Sequence, residues 1–139
     1  VSKKIKTYNP KEVTVSCGSH IVEGFADDSF ITIEFNGDGI TKKVGCDGEI
    51  ARAVSPDDTY KVKIVLLQTS DSSSFFSKML DMDRDTGEGM FPILIKDLKG
   101  GQVFSTEAAW VVKKSPWNRG KDTNNREWEI DTGSATLDE

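Results

Sequence analysis

The chain has 139 residues, of which 36% are hydrophobic and 29% charged, with a formal net charge of −5. That is one domain's worth of sequence, long enough for a sizeable core, too apolar for a disordered chain, and without the roughly 20-residue apolar run of a membrane helix. Its Lys and Arg residues are scattered singly or in pairs, such as Lys42-Lys43 and Lys113-Lys114, which disfavours stable nucleic-acid binding, where clustered cations neutralise phosphates.

The start, Val1-Ser-Lys-Lys-Ile5, lacks the apolar stretch of a signal peptide, so export by that route is not expected. Residues 1–10 read as an N-terminal arm. Beyond them, turn signals recur at short intervals: Cys17-Gly18-Ser19, Ala26-Asp27-Asp28, Asn36-Gly37-Asp38-Gly39, Cys46-Asp47-Gly48, Ser55-Pro56-Asp57-Asp58 and Gly100-Gly101. The runs between them are rich in Val, Ile, Thr, Phe and Trp, which predicts antiparallel β structure. In Phe30–Asn36, Ile31, Ile33 and Phe35 share one face, and Thr32 and Glu34 take the other. Asn36–Gly39 tolerates positive φ, so Ile40–Val44 is expected to return along that first strand as a tight hairpin.

From Tyr60 to Gln68, Tyr60, Val62, Ile64 and Leu66 line one face. Lys61 and Lys63 begin the other and Val65 and Leu67 finish it, so the strand is expected to become buried on both sides. Ser70–Ser74 then offers helix N-caps, and Phe75, Phe76, Met79 and Leu80 form one apolar stripe. Gly87 and Gly89 can stop the segment, which places a helix at about 72–84. Gly100-Gly101 separates Ile93–Leu98 from Val103–Val112 as a hairpin turn would. Trp128 and Ile130 alternate with Glu127, Glu129 and Asp131, giving one apolar and one acidic face. Residues 133–139 are small and polar and read as a mobile tail. The order strands, helix, strands predicts a single mainly β domain over residues 1–139, a β-sandwich or barrel of antiparallel strands with one packed α-helix.

No constellation for catalysis stands out. The lone histidine, His20, reads as a turn residue, and no serine sits in a G-x-S-x-G context. Cys17 and Cys46 form no C-x-x-C pair and read as buried, reduced thiols. Asp81-Met-Asp-Arg-Asp85 opens like a calcium loop, but Thr86 replaces the required glycine and Pro92 the bidentate glutamate. It therefore reads as a solvated helix end, and no metal or cofactor is expected. Trp110, Trp117 and Trp128 read as core or interface anchors; a carbohydrate- or protein-binding platform on a monomeric β-sandwich is the rival.

Several stretches carry a resemblance. Val44–Arg52, Thr59–Ser70, the Phe75–Leu80 helix, Gly89–Gly100, Ala109–Pro116 and Arg126–Ile130, in that order and spacing, resemble the tail tube proteins of contractile-tailed phages. The likeness runs over residues 10–133 and rests on no single motif. It implies a virion tail protein, made in the host cytoplasm, whose hexameric rings stack into a hollow tube inside a sheath. Tail sheath and baseplate or terminator proteins are its implied partners, DNA passes through the lumen without specific binding, and no membrane insertion is implied. Tubes of phage-like bacteriocins and secretion machines are the alternative within the same resemblance.

By this analogy and by amphipathicity, strands 30–44 and 50–68 are expected to supply the lumen and the inter-subunit contacts, through Ile31, Thr32, Ile33, Glu34, Lys61 and Lys63. The Cys46–Asp58 loop, with Asp47, Glu49, Arg52, Asp57 and Asp58, and the segment Val1–Pro10 are expected to make ring-to-ring contacts.

Overall fold

The structure is a computed structural model, and it describes residues 4–139. Nine strands and one helix follow a short 3-10 turn at Pro10–Glu12: β1 (Val13–Cys17), β2 (His20–Ile21), β3 (Ile31–Phe35), β4 (Ile40–Val44), β5 (Ile50–Val54), β6 (Thr59–Leu66), α1 (Ser72–Thr86), β7 (Phe91–Asp97), β8 (Gln102–Val111) and β9 (Arg126–Asp138). Seven strands form one sheet in the order β2-β1-β7-β8-β9-β6-β3, and β4 and β5 form a separate two-stranded sheet. Every named pairing is antiparallel. The architecture is mainly antiparallel β with one helix, in line with a β-sandwich.

Alternation explains the main sheet. Ile31 pairs with Ile64 and Ile64 with Trp128; Ile33 pairs with Val62 and Val62 with Ile130. These side chains therefore share the core face. Val62, Ile64, Trp128 and Ile130 are fully buried there, and Ile31 and Ile33 pack against them. One cluster also takes in Val15 of β1, Ile93 and Ile95 of β7 and Phe104 of β8, so the sheet folds around a single core.

The bend has a local cause. β8 and β9 each carry an extra residue, seen as register shifts between Phe91 and Ile93 on β7 and between Thr59 and Lys61 on β6. Bulges bend strands and re-aim side chains. Before the bulge of β8, Phe104 and Thr106 point inward; after it, Ala109 and Val111 do. Buried threonines satisfy the displaced backbone: the Thr106 hydroxyl donates to the Ser134 carbonyl at 2.9 Å, and the Thr132 hydroxyl accepts from the Tyr60 amide at 3.0 Å. Pro92 sits at the shift in β7, where a missing N–H costs no ladder bond.

Helix α1 overruns the expected 72–84 by two residues at its C-terminus. Phe76 and Leu80 are buried, with Phe75 and Met79 packed beside them. Ser72 and Ser73 are buried because they serve the core side. The Ser73 hydroxyl accepts from Trp128 Nε1 at 3.1 Å, and Ser72 Oγ accepts from the Glu23 amide at 3.0 Å. Gly87 ends the helix with φ 73°, its N–H returning to the Asp83 carbonyl. A Cβ there meets nothing within 4 Å, so the cost of Gly87→Ala is backbone strain alone. We expect about 1 kcal/mol of lost stability in urea denaturation. Among the described residues no helix is long and apolar enough to cross a membrane.

Three sequence expectations are corrected here. β4 does not return along β3. The chain turns at Gly37 (φ 76°) and leaves the sheet, and β6 takes the place beside β3. Residues 133–138 do not form a mobile tail: they complete β9, pairing with β8 from Val103 to Thr106, with Ala135 and Leu137 packed on the core. The far end of the 60–68 run is not buried on both sides, because Leu67 lies beyond β6 and is 37% exposed.

Candidate assembly surfaces

The residues expected to serve assembly fall on two surfaces. The first is the β4–β5 hairpin. Its turn is closed by the Gly48 amide on the Gly45 carbonyl at 2.9 Å and by Glu49 N–H on Asp47 Oδ1 at 3.1 Å. Register places Ile40 opposite Val54, Lys42 opposite Arg52 and Val44 opposite Ile50, so these six share one face. Thr41, Lys43, Ala51 and Ala53 share the other. Every residue from Gly37 to Val54 is exposed, and Ile40, Val44, Ile50 and Val54 are 55–74% exposed. A two-stranded hairpin in water is marginal by itself. This one holds aliphatic side chains in solvent and has no core of its own.

The expected ring-to-ring residues divide among three places along this arm. Asp47 and Glu49 are at the tip, Arg52 lies in the middle of β5, and Asp57 and Asp58 lie at the base, before β6. The span 46–58 is therefore not one loop. Asp57 is tied to Thr59: its carboxylate accepts from the hydroxyl at 2.6 Å and from the amide at 3.0 Å, which holds its pKa below the usual carboxylate value. Asp58 accepts from the Ser134 hydroxyl. Of the expected Val1–Pro10 contact segment, residues 1–3 lie outside the described residues, and Ile5 and Tyr8 are exposed.

The second surface is the face of the main sheet opposite the core. Glu34 pairs with Lys61 and Lys61 with Asp131; Thr32 pairs with Lys63 and Lys63 with Glu129. Charges therefore alternate across β3, β6 and β9. Among the described residues only Lys114 and Asp81 close to an ion pair, at 3.1 Å, so the charges of the ladder stand in alternation without pairing. The structure splits the expected lumen set. Thr32, Glu34, Lys61 and Lys63 stand together on this face, whereas Ile31 and Ile33 turn to the core side.

Other candidates do not converge. His20 lies in β2, stacked on Phe75 at 4.4 Å with Nε2 2.9 Å from Ser72 Oγ. Asp81, Asp83 and Asp85 lie on helical turns of α1 and not in a loop. The three tryptophans are dispersed: Trp128 is buried, Trp110 is beside Asp131, and Trp117 is 65% exposed under the Arg119 guanidinium at 3.9 Å. They form no common platform. The thiols also differ from expectation. Cys17 is buried and its pKa is pushed up to about 12 by burial, but Cys46 is exposed at the hairpin tip. Native protein is expected to displace one equivalent of thiolate from a disulfide reagent, and a second only after denaturation. Immediate reaction of both would show that Cys17 is not enclosed.

Residues 9–138 match the family described as Bacteriophage PhiTE tail tube protein. The chain belongs to this tail tube family. It is 28% identical over 142 residues to "Structural protein ORF10" of Pseudomonas phage KPP10, covering 96% of this chain and 82% of that protein. Among solved structures, it is similar in fold to a chain of the extracellular contractile injection system PVC sheath-tube complex, with TM-score 0.65, 10% identity and coverage of 95% and 91%. It is similar also to the PVC sheath/tube terminator (TM-score 0.63, 13% identity, coverage 100% and 99%) and to the anti-feeding prophage tube-terminating cap (0.63, 10%, 99% and 94%). The role of a tail tube protein is structural, and its place is the tail of the virion.

In this tail tube protein the independence of the hairpin was missed from sequence. A signal for it existed. Ile40–Val44 and Ile50–Val54 are equal in length and flank a Gly-Cys-Asp-Gly turn, a pairing as open to the sequence as the one across Asn36–Gly39. The charge ladder had a signal too, in the Lys61/Lys63 and Glu127/Glu129/Asp131 alternations, but only the register shows that they interleave.

Proposed function

We propose that this chain forms hexameric rings that stack into the hollow tube of a phage tail, and that the tube conducts DNA from capsid to cell. The observation that carries this reading is the β4–β5 hairpin with Ile40, Val44, Ile50 and Val54 in water. Aliphatic surface held in solvent is unfavourable for a monomer and becomes favourable when a neighbour covers it. A contact between an arm on one copy and a body on the next is head-to-tail, and such contacts propagate. Ring-to-ring contacts are assigned to this arm, with Asp47 and Glu49 at its tip, Arg52 along it and Asp57 and Asp58 at its base.

The lumen is assigned to the face bearing Thr32, Glu34, Lys61 and Lys63, continued by Glu127, Glu129 and Asp131. Four carboxylates there face two ammonium groups, and the chain as a whole is acidic. A negative wall discourages a polyanion from sticking while leaving it free to slide. Free edges of β3 and β2 close against neighbours in a ring, which removes the exposed edges that would otherwise aggregate. Sheath and terminator proteins are the outer and end partners; the fold shared with sheath-tube and terminator chains supports this. The 28% identical phage relative favours a phage tail over an injection machine, since the latter likenesses lie at 10–13% identity. The subunit is made in the host cytoplasm before the tail assembles.

Negative-stain electron microscopy tests the assembly. Rings or tubes with a central channel are expected. A concentration-independent 15.3 kDa monomer that binds glycan would overturn the reading. Assembled tubes are expected not to retain duplex DNA from low to moderate salt, and tight retention at moderate salt would sink the lumen assignment.

A further inference from the structure

An open groove of about 750 Å³ lies between the edge strand β3 and the β7–β8 turn end of the folded sheet. Ile31 and Ile33 of β3 form one wall; Ile95 of β7, Phe104 of β8 and Leu137 of β9 form the other. Asp27, Asp28 and Asp97 also line it, and among the described residues no Lys, Arg or His does. It is thus an apolar trough with a purely acidic rim. None of the residues from Gly37 to Val54 lines it, so a copy's own hairpin does not occupy it.

The hairpin presents the complement. On one face, the aliphatic pairs Ile40/Val54 and Val44/Ile50 flank the cationic pair Lys42/Arg52. Apolar side chains fit the trough walls, and the two cations between them meet the acidic rim. The two features also lie toward opposite ends of β3. The hairpin departs after Phe35, whereas the acidic residues Asp27 and Asp28 precede Ile31. An arm at one end and its receptor at the other make a contact that joins copies in series rather than in closed pairs.

Resting on the tube reading, we propose that the β4–β5 hairpin of one copy seats in the groove between β3 and the β7–β8 turn end of a second copy, with Lys42 and Arg52 against Asp27, Asp28 and Asp97. The groove is then the receptor for the stacking arm, and Ile31 and Ile33 serve inter-subunit contact as its wall rather than as lumen.

The test is a charge swap read by sedimentation of polymer and by electron microscopy of rings. K42E/R52E raises the concentration needed for stacking at least about tenfold, equivalent to about 1.4 kcal/mol per contact. The effect shrinks in high salt because exposed charges are screened over about 8 Å already at physiological strength. Adding D27K/D28K to the same chain restores stacking. Stacking of K42E/R52E at wild-type concentrations overturns the proposal. So does failure of D27K/D28K to restore it when both variants keep the wild-type circular dichroism and still form single rings, since the arm then docks elsewhere. A wild-type chain that remains monomeric at all concentrations instead sinks the tube reading itself, and the docking with it.

Discussion

Trp128→Ala is expected to lower the unfolding free energy by about 3–5 kcal/mol, measured by urea denaturation of the monomer. Trp128 is 0% exposed in the middle of the sheet, opposite Ile64 on β6. Its ring lies 5.6 Å from that of Phe76, so it packs the sheet against α1. Truncation removes the largest buried side chain and leaves a cavity that flanking strands cannot collapse into without breaking ladder bonds. The indole has a second function. Its N–H is the hydrogen-bond donor to Ser73, which is 5% exposed on the first turn of the helix. Trp128→Phe keeps most of the packing but strands that hydroxyl, and is expected to cost about 1–3 kcal/mol. A loss below about 1 kcal/mol for Trp128→Ala would mean that the helix is not held to the sheet through this residue.

This residue also marks how far the sequence could be read. The alternation of Trp128 and Ile130 with Glu127, Glu129 and Asp131 assigned each to its face, and the faces are as expected. The same holds for Ile31, Ile33, Thr32 and Glu34, and for the helix stripe at Phe76 and Leu80. Period is a local property, so local residues carry it. Partnership is not local. Nothing in Ile40–Val44 says whether it pairs backward with β3 or forward with β5, because a turn with glycine separates it from each. The choice is made by β6, whose longer apolar face competes better for β3. The tail at 133–139 failed for a related reason. Gly133, Ser134 and Thr136 look like linker, and the ordering comes from Ala135 and Leu137 reaching a core assembled by distant strands. The candidate surfaces divide in the same way. The lysines and glutamates of the sheet face could be named individually, but their interleaving depends on register between β6 and β9. The groove depends on β3 facing β7, β8 and β9 across the folded sheet, and no sequence window contains them all.

Ile50→Asp combined with Val54→Asp is expected to leave the monomer intact and abolish polymerisation. The two side chains are 64% and 74% exposed and make no core contact, so the unfolding free energy is expected to stay within about 0.5 kcal/mol of wild type. Assembly is different. Burying each aliphatic side chain against a neighbour is worth roughly 1.5–3 kcal/mol, and both contributions are lost. Each new carboxylate would also have to be desolvated beside apolar walls, at a cost of several kcal/mol, on the order of what either side chain contributed. A ring engages all its arms together, so the deficit repeats with every arm and no compensating contact remains. Thr41→Asp, on the other face of the same hairpin, is the control, and is expected to assemble as wild type does. Polymer mass by sedimentation separates the outcomes. If the double variant polymerises normally, the aliphatic face is not the stacking surface; if Thr41→Asp fails equally, the hairpin matters through its order and not through one face. The expected one-sidedness is the signature of an arm seated in a receptor, because only the seated face feels a buried charge.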